Sequence, residues 1–456
     1  MFNRYRVIHF VGIGGIGMSG IARVLKNLGY TVTGSDLKSS ATTDVLISEG
    51  IRVYIGHRAE NVDNAHVVVV TSAVNGANAE VDEARRRSIP VIPRAEMLAE
   101  VGRLKYGILV AGSHGKTTTT SLLAGILIKS GLDPTVVLGG KLNDTNSNAC
   151  VGKGDFLVAE ADESDGSFLK LNPTVAIITN IDREHMDFYL NMESLKSAYA
   201  SFLNKVPFYG IGVVCIDDPN IIDILPNVNR KYITYGLKEG ADFMARNIKY
   251  SFQKTEFDLI AGGRSYGAFT INLSGRHNVL NTLAALAASN SLDITYEQSR
   301  CALSTFSGIK RRMEFKGHKG GVNVFDDYGH HPTEIKATIN GIKQHIEKRL
   351  MVVFQPHRYT RTADLMDEFA CCFDEAGRVY LLDIYPAGEQ PITGVTSELL
   401  AEKIKARGVD VIYAGKGQEL SETLGMEAKP GDTLVTFGAG DVWKIAENFV
   451  TQRPTG

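Results

Sequence analysis

The sequence contains few cysteines, and their positions form no recognisable framework. Five cysteines occur among 456 residues, and no two of them have the C-x-x-C spacing. An odd number of scattered cysteines argues against a disulfide scaffold and against a cysteine-rich zinc site. We therefore expect free thiols, packed as small apolar side chains, in a protein of the reducing cytoplasm.

The sequence also lacks an excess of charge of either sign. Lysine and arginine number 49 against 51 aspartate and glutamate residues, which gives a formal net charge of -2. This balance excludes a general electrostatic attraction to nucleic acid or to an anionic membrane surface. An anionic ligand must instead be held by a local cluster of positive groups.

Long apolar runs are absent as well. A membrane-spanning helix requires roughly 20 apolar residues, and no segment reaches that length. The stretch from Val7 to Ala22 follows Arg4 and Arg6, but it is too rich in glycine for a signal helix and is not followed by a cleavage site. We expect no membrane segment and a cytoplasmic location.

What the sequence does contain is a regular alternation of strand-like apolar runs with helical patterns. This alternation is typical of α/β folds with parallel sheets. It falls into three blocks, with glycine- or proline-containing hinges near positions 100 and 310. The pattern predicts three domains, which comprise residues 1–104, 105–309 and 310–456.

The first block opens with a glycine-rich fingerprint, VGIGGIGMSG. Gly12, Gly14 and Gly17 follow an apolar strand and precede an amphipathic segment, and Asp36 lies at about the distance expected of a ribose ligand. Such glycines predict only a tight turn whose N–H groups meet a diphosphate at the start of a helix. The diphosphate of a nicotinamide cofactor and that of a UDP-sugar both satisfy this pattern.

The second block opens with the strongest chemical signal, GSHGKTTTT. Backbone N–H groups of Gly112 to Gly115 are expected to cradle phosphates, Lys116 to contact the β and γ oxygens, and Thr117 to ligate Mg²⁺. The full phosphate-loop pattern has a glycine where Val110 stands, so this loop is a shortened relative. A strand before it and an apolar helix after it predict a nucleotide site.

Two acidic clusters follow later strands of the same block. EADESD places Glu160, Asp162, Glu163 and Asp165 just past an apolar run, and NIDREHMDFY places Asn180, Asp182, His185 and Asp187 past the next. Solvated strand-end loops often carry such residues. Downstream of a phosphate loop, however, they indicate ligands for the magnesium ion of ATP. The pair His330-His331 suggests a contact with substrate or transition state, or a plain loop position, rather than zinc, since no second pair of ligands lies nearby.

These motifs together resemble one family. HFVGIGGIGMSGIA, GSHGKTTTT, EADESDGSFL, NIDREHMDFY, GRHNVLNTLAA, KRRMEF, DDYGHHPTEI and FQPHRYTRT are similar, in this order along the whole chain, to segments of the ATP-dependent Mur ligases of peptidoglycan synthesis. The resemblance implies a Rossmann-like N-terminal domain for the UDP portion of a sugar nucleotide, a central P-loop ATPase-type domain with a parallel sheet, and a Rossmann-like C-terminal domain. It therefore favours the UDP-sugar over the nicotinamide cofactor.

The resemblance also implies an activity. Within the family the chain is most similar to the alanine-adding branch, which would join L-alanine to the carboxylate of UDP-N-acetylmuramate with ATP and Mg²⁺ as cofactors. The carboxylate would attack the γ-phosphate to form an acyl phosphate, and the amine of L-alanine would then displace phosphate. No obligate protein partner and no nucleic acid are implied.

The residues that the resemblance assigns fall into four groups. The ATP site would contain Gly112, Ser113, His114, Gly115, Lys116, Thr117, Thr118, Asn278, Asn281, Arg312 and Asp327. The metal ligands would be Thr117, Glu160 and His185, and the catalytic groups Lys116, Glu160, His185, Arg312 and His330. The UDP-sugar would contact Gly14, Gly15, Gly17, Ser19, Asp36, His57 and Ser72, and the amino acid would contact His330, His357, Arg358 and Arg361.

Three alternatives compete with this interpretation. A ligase that adds an intact tripeptide to the same sugar nucleotide would share most of these motifs. A nicotinamide dehydrogenase would explain the first glycine loop but not Lys116 or the acidic clusters. A nucleotide-gated regulatory module would bind ATP without releasing ADP in response to an acceptor.

Overall fold

The computed structural model describes residues 6–71, 78–102, 105–138, 149–150, 152–251, 253–346, 348–417 and 419–451. The chain folds into two compact units. The first unit comprises residues 1–248, 256–272 and 278–307, and the second comprises residues 249–255, 273–277 and 308–456. Three β-sheets are present in the described residues, in chain order.

The N-terminal sheet belongs to the first unit and is wholly parallel, in the order β3-β2-β1-β4-β5. Its strands are β1 (Val7–Val11), β2 (Thr31–Asp36), β3 (Arg52–Ile55), β4 (Val67–Val70) and β5 (Val91–Pro93). Its helices are α1 (Ile16–Asn27), α2 (Ala41–Ser48), α3 (Ala79–Arg86) and α4 (Arg94–Gly102). Because all strands run the same way, the loops that follow β1, β2 and β3 meet at one edge of the sheet.

The central sheet has ten strands in the order β15-β14-β13-β12-β11-β10-β6-β9-β7-β8. The strands are β6 (Tyr106–Ala111), β7 (Thr135–Val137), β8 (Ala149–Cys150), β9 (Phe156–Glu160), β10 (Val175–Ile178), β11 (Ile211–Cys215), β12 (Tyr232–Gly236), β13 (Phe243–Ser251), β14 (Lys254–Ala261) and β15 (Arg264–Ile271). Pairing is parallel from β13 through β12, β11, β10, β6 and β9 to β7, and antiparallel between β7 and β8. The buried strand β6 therefore lies between β10 and β9.

The helices of this part are α5 (Lys116–Lys129), α6 (Met186–Tyr189), α7 (Met192–Leu203), α8 (Pro219–Ile224), α9 (Arg276–Asn290) and α10 (Tyr296–Ser304). Helix α5 follows β6 directly, and ten of its fourteen residues are buried. A helix with so many buried positions is covered by neighbouring elements on most of its sides. The N-terminus of α5 is thus held in a fixed place at the edge of the sheet.

The third sheet lies in the second unit, in the order β16-β17-β21-β18-β19-β20. Its strands are β16 (Glu314–Lys319), β17 (Val322–Asp327), β18 (Leu350–Phe354), β19 (Arg378–Leu382), β20 (Val411–Gly415) and β21 (Thr433–Phe437). Its helices are α11 (Pro332–Lys343), α12 (Tyr359–Asp364), α13 (Met366–Cys371), α14 (Ser397–Ala406), α15 (Leu420–Glu427) and α16 (Trp443–Thr451). Only the edge pair β16 and β17 is antiparallel among these described strands.

Strand β18 shows why this sheet is covered on both faces. Val352 and Phe354 pack into one apolar cluster, and Met351 and Val353 pack into another on the opposite face. Successive side chains of a strand point to opposite faces, so a continuous apolar run is buried only between two layers of helices. The sequence LMVVF therefore specifies a central strand.

The fold class predicted from the sequence is confirmed: three α/β parts with predominantly parallel sheets follow one another along the chain. The strands β13 to β15 were not predicted, and they extend the central sheet at one edge. The boundaries at residues 104 and 309 stay a prediction. No helix in the described residues has both the length and the apolar character needed to cross a membrane.

Candidate active site

The loop between β6 and α5 can be built only with glycine at both of its ends. Gly112 has φ +130° and Gly115 has φ +79°, values that side-chain-bearing residues rarely adopt. A Cβ atom on Gly112 would lie 2.1 Å from Oγ1 of Thr179, and one on Gly115 would lie 2.5 Å from Oδ1 of Asn281. The two glycines thus combine an unusual backbone with close approach of neighbouring side chains.

Residues that follow β10 hold this loop in shape. The N–H of His114 donates to Oδ1 of Asn180 at 2.9 Å, and Nδ2 of Asn180 donates to the carbonyl of His114 at 3.0 Å. Oγ1 of Thr179 donates to the same carbonyl at 2.6 Å. Ser113 accepts the N–H of Asp182 on its Oγ at 2.8 Å. Because β10 is the parallel neighbour of β6, its end lies beside the loop.

The N-terminus of α5 is suited to an anion. Gly115 provides no side-chain cap, and the first turn contains no acidic residue. Uncapped N–H groups at a helix start attract phosphate, and the helix dipole adds to that attraction. Thr117 and Thr118 are buried in this first turn. The geometry matches the phosphate loop that the sequence predicts.

Lys116 is fixed inside the loop. Its Nζ donates to the carbonyl of Gly112 at 2.6 Å and to the two carboxylate oxygens of Glu163 at 2.8 and 2.9 Å. Burial alone would lower the pKa of Lys116, but the charges of Glu163, Asp162 and Glu184 outweigh burial and raise it. The lysine is therefore charged and positioned next to the helix N-terminus.

Glu163 also belongs to a small cluster with Glu184 and His185. One ligand atom from each of these three side chains lies within 4.8 Å of the others. Burial raises the pKa of Glu163, while the charge of Lys116 opposes that rise. Tyr189 donates its hydroxyl to the carbonyl of Glu163 at 2.6 Å, which fixes the backbone of the cluster. Carboxylate oxygens with an imidazole form a donor set for a divalent cation such as Mg²⁺ or Mn²⁺.

The structure brings together part of the predicted metal site. His185 lies in the three-residue cluster, whereas Thr117 lies in the first turn of α5 and Glu160 ends β9. Glu163 was among the acidic candidates in the sequence, and Glu184 was not. The feature of the sequence that indicates Glu184 is its position next to His185, in the segment that follows a strand. The side chain of Asp187 lies outside the described residues.

The first glycine loop is closed onto the end of β2. The N–H groups of Gly12 and Ile13 donate to the carbonyl of Ser35 at 2.8 and 2.9 Å, and the N–H of Gly14 donates to Oδ2 of Asp36 at 2.8 Å. Asp36, predicted as a ribose ligand, thus also shapes the loop. Its Oδ2 is 2.8 Å from where a Cβ on Gly14 would stand.

Arg94 at the start of α4 links this glycine loop to an acidic segment. Its Nη1 is 3.0 Å from the position of a Cβ on Gly17, and its Nη2 is 3.6 Å from Oδ2 of Asp162. No sequence motif marks Arg94, because its position beside Gly17 depends on how α4 packs. The structure therefore adds one positive charge beside the predicted diphosphate loop.

The remaining residues predicted to contact the UDP-sugar have different surroundings. His57 follows β3 and lies 2.9 Å from Oγ of Ser35 through its Nδ1. Ser19 is buried in α1, where its N–H donates to the carbonyl of Gly15 at 2.9 Å. Ser72 lies outside the described residues.

Two asparagines of helix α9 lie beside the phosphate loop. Asn281 accepts a hydrogen bond from Oγ1 of Thr119 at 3.3 Å on its Oδ1, and its Nδ2 lies 3.4 Å from Oδ1 of Asn278. Both asparagines are buried. Their predicted contact with adenine stays a prediction.

The second unit has its own polar site at the end of β17. Asp327 accepts the N–H of Met313 at 2.8 Å and that of Gly329 at 2.7 Å. Burial raises the pKa of Asp327 to about 6, with the charge of Arg312 opposing. Arg312 lies over the ring of Tyr328, 5.4 Å from its centroid, and 3.6 Å from Oε1 of Glu334. Arg312 and Asp327 are therefore neighbours, as their joint assignment to ATP requires.

His330 and His357 of the predicted amino-acid site are also neighbours, with ring centroids 6.0 Å apart. Burial, together with the charges of Arg361 and Arg358, lowers the pKa of His357 to about 4. His357 is thus neutral at pH 7 and stacks on Tyr385. Arg358 is exposed and has φ +72°. His331 caps α11 instead, because its Nδ1 accepts the N–H of Thr333 at 3.3 Å.

Three family models match successive parts of the chain. Residues 7–106 match the catalytic domain of the Mur ligase family, residues 110–289 match the Mur ligase middle domain, and residues 311–440 match the glutamate ligase domain of Mur ligases. Together they account for most of the sequence.

Full-length relatives agree with these matches. A UDP-N-acetylmuramate–L-alanine ligase of Geobacter sp. strain M21 is 53% identical over 452 residues, covering 99% of this chain and 98% of that protein. A crystal structure of UDP-N-acetylmuramate-alanine ligase from Thermotoga maritima superposes with a TM-score of 0.83 at 28% identity, covering 97% of this chain and 98% of that one. A murein peptide ligase from Psychrobacter arcticus gives 0.72 at 25% identity, covering 98% of both chains. The chain belongs to the Mur ligase family.

Proposed function

We propose that the protein is an ATP-dependent ligase that joins L-alanine to the lactyl carboxylate of UDP-N-acetylmuramate, with release of ADP and phosphate. The observation that carries the proposal is the pairing of two anion sites in one compact unit. One is the loop from Gly112 to Gly115 with Lys116, and the other is the glycine loop closed by Asp36. A relative 53% identical over nearly its whole length bears the corresponding name.

Activation of the carboxylate is the first step. The sugar carboxylate attacks the γ-phosphate of ATP, ADP leaves as the bond to its β-phosphate oxygen breaks, and an acyl phosphate forms. During the transfer, negative charge is spread over the phosphoryl oxygens. The ammonium of Lys116, held beside the start of α5 by Gly112 and Glu163, and the N–H groups of that helix start stabilise this charge. We assign Arg312 to the same phosphoryl group and Asp327 to the ribose.

A divalent cation fits the acidic residues beside Lys116. Glu163, Glu184 and His185 offer two carboxylates and an imidazole in one cluster, and Thr117 and Glu160 remain proposed ligands. When bound, Mg²⁺ would neutralise phosphate charge and polarise the phosphoryl oxygens. The buried Glu163 holds Lys116 in position by accepting two hydrogen bonds from it.

Amide formation is the second step. The uncharged amine of L-alanine attacks the acyl phosphate and a tetrahedral oxyanion forms. Phosphate then leaves with the bonding electron pair and takes up the proton that the nitrogen loses. We assign the alanine carboxylate to Arg358 and Arg361, because a guanidinium can bind a carboxylate with two hydrogen bonds. His330 and the neutral His357 lie close enough to each other to contact the same small ligand.

The domain limits and the location belong to the same proposal. Residues 1–104 would bind the UDP-sugar, residues 105–309 the nucleotide, and residues 310–456 the amino acid. Dependence on ATP favours the cytoplasm. The decisive experiment is release of phosphate from ATP and Mg²⁺ with UDP-N-acetylmuramate, compared with and without L-alanine. A tripeptide acceptor serves as the competing substrate, because a murein peptide ligase is among the structural relatives.

A further inference from the structure

A network of buried polar side chains lies beneath the first glycine loop, and the proposed reaction does not use it. Its centre is Glu80 in the first turn of α3, whose side chain is 0% exposed. Oε2 of Glu80 accepts a hydrogen bond from Oγ of Ser35 at 2.5 Å and lies 3.2 Å from Nδ1 of His57. Nδ2 of Asn61 donates to the other carboxylate oxygen, and Nε2 of His9 lies 3.7 Å from Oε2.

Glu80 is ionised within this network. Burial by itself would raise the pKa of Glu80, but the neighbouring imidazole of His9 and the hydrogen bonds from Ser35 and Asn61 outweigh burial and lower it. A buried carboxylate costs free energy even when it is well paired, and apolar side chains of similar volume often do as well in a purely structural role. The network therefore calls for a role beyond packing.

The hydrogen bonds determine which nitrogen of His57 carries a proton. The hydroxyl of Ser35 donates its single proton to Glu80, so its oxygen can only accept from His57. Nδ1 of His57, 2.9 Å from that oxygen, must then be the N–H donor. In the neutral imidazole this leaves Nε2 as a hydrogen-bond acceptor. The side chain of His57 is 17% exposed, whereas that of Glu80 is fully buried. A ligand can therefore reach His57 but not Glu80.

Ser35 connects the network to the glycine loop. Its carbonyl accepts the N–H groups of Gly12 and Ile13, while its hydroxyl joins His57 to Glu80. The next residue, Asp36, binds Gly14. In sheets of this kind an acid at the end of the second strand contacts the ribose, which places the nucleoside over β2 and its neighbour β3. His57 lies two residues after the end of β3, on that side of the sheet.

We infer that Glu80 is a positioning residue for the nucleotide-sugar: through Ser35 it holds His57 with Nε2 directed at the uridine portion, from which Nε2 accepts a hydrogen bond. The diphosphate has no donor to offer at neutral pH, whereas uracil N–H and the ribose hydroxyls do. The inference rests on the proposed function, because it takes UDP-N-acetylmuramate as the ligand. The inference adds Ser35 and Glu80 to the residues that determine the affinity for UDP-N-acetylmuramate.

The test is a kinetic comparison of Glu80→Gln, His57→Asn and the double variant. Phosphate release is measured at saturating ATP and L-alanine with varied UDP-N-acetylmuramate. Each single variant is expected to raise the KM for the sugar nucleotide about tenfold, the worth of one hydrogen bond to a buried group, and the double variant no more than the larger single one. The KM for ATP and kcat should stay within about twofold, and UDP should become a weaker competitive inhibitor by the same factor.

A matched control separates positioning from general loss of packing. Asp432 is a buried carboxylate of the second unit, 2.7 Å from Nη2 of Arg349, and Asp432→Asn should lower stability without changing the KM for the sugar nucleotide. A folded Glu80→Gln with an unchanged KM, or effects that add in the double variant, would overturn the inference. If Glu80→Gln does not fold, Ser35→Ala is measured instead. A rise of about tenfold in its KM for the sugar nucleotide would support the inference, and an unchanged KM would overturn it.

Failure of the proposed function is distinguishable from failure of this inference. If the unaltered protein releases no phosphate with UDP-N-acetylmuramate and L-alanine, the proposed function is wrong and UDP binding alone tests Glu80. Weaker binding of UDP to Glu80→Gln would then support the inference, and equal binding would overturn it.

Discussion

The ammonium of Lys116 lies 2.8 and 2.9 Å from the two carboxylate oxygens of Glu163, so the lysine of the phosphate loop is held by an acid that follows the neighbouring strand β9. The side chain of Glu163 is 1% exposed and that of Lys116 is 17% exposed. The pair therefore places a partly buried positive charge at the start of α5 and connects the loop to the acidic cluster.

This pair gives separate predictions for stability and for catalysis. Lys116→Ala leaves Glu163 buried without its partner, and we expect a loss of about 3–5 kcal/mol in the free energy of unfolding. The double variant Lys116→Ala with Glu163→Gln removes the unpaired charge and should regain most of that loss. Both variants should release phosphate at least about 100-fold more slowly, since neither has the cation. Urea unfolding and phosphate release measure the two effects, and recovered activity in the double variant would contradict the assigned role of Lys116.

Helix α5 provides a matched pair of glycines for testing the loop. Gly115 before the helix and Gly131 after it have φ of +79° and +80°, but a Cβ on Gly131 would meet no atom within 4 Å. Gly131→Ala should cost about 1–3 kcal/mol from backbone strain and leave phosphate release within about twofold. Gly115→Ala carries the same strain and also displaces Asn281, so we expect ATP binding to be lost. Equal ATP affinity of the two variants, measured by calorimetry, would show that the loop does not hold the nucleotide.

The metal ligands can be distinguished by their effect on the requirement for Mg²⁺. We expect removal of divalent cations by a chelator to stop phosphate release. His185→Ala should raise the Mg²⁺ concentration for half-maximal rate by at least about tenfold, because loss of even an outer partner of a metal site has effects of this size. The same measurement on two further variants compares the possible ligands. Glu184→Gln tests the cluster seen in the structure, and Glu160→Gln tests the ligand predicted from the sequence. Asp165→Asn, at an exposed acid of the same loop, is the control and should leave the requirement unchanged.

Acid sensitivity of the second unit should depend on His277. The pKa of His277 is lowered from 6.5 to about 4, chiefly by burial, with the charge of Glu334 opposing and that of Arg312 acting with burial. Between these two pH values the unfolded chain binds a proton that the folded state does not, so stability is present above pH 6.5 and declines as the pH falls toward 4. From pH 7 to pH 4.5 the unaltered protein should lose roughly 2 kcal/mol more than His277→Gln.

Urea titrations at several pH values measure this difference. His318→Gln, at an exposed histidine of the same unit, is the control and should follow the unaltered protein. If His277→Gln loses stability with acid as steeply as the unaltered protein does, the buried neutral state of His277 is wrong.

The sequence was sufficient for features that depend on neighbours along the chain. The turn at Gly112 to Gly115 was predicted because glycines between a strand and a helix have a local meaning. The strand LMVVF was predicted because a continuous apolar run suits a strand covered on both faces. Strand β14 was not predicted because its buried and partly buried residues alternate, and such a pattern is a weaker signal than a continuous apolar run.

Contacts between distant segments were not predictable in the same way. Nothing in the sequence near Glu80 indicates that it meets Ser35, 45 positions away, or that Arg94 lies against Gly17. Asp36 was selected by its spacing as a ribose ligand, and the structure adds its bond to Gly14. Such partners depend on helix packing, which the order of the residues does not reveal.

The most direct test of the account is the acceptor dependence of phosphate release. With ATP, Mg²⁺ and UDP-N-acetylmuramate present, we expect release that requires L-alanine, is weaker with glycine or L-serine, and disappears in Lys116→Ala. A pocket for one methyl group discriminates by only about 1–3 kcal/mol, so some release with the two close analogues is expected. Release with the tripeptide but not with L-alanine would contradict the assigned acceptor, and no release with any acceptor would contradict the ligase itself.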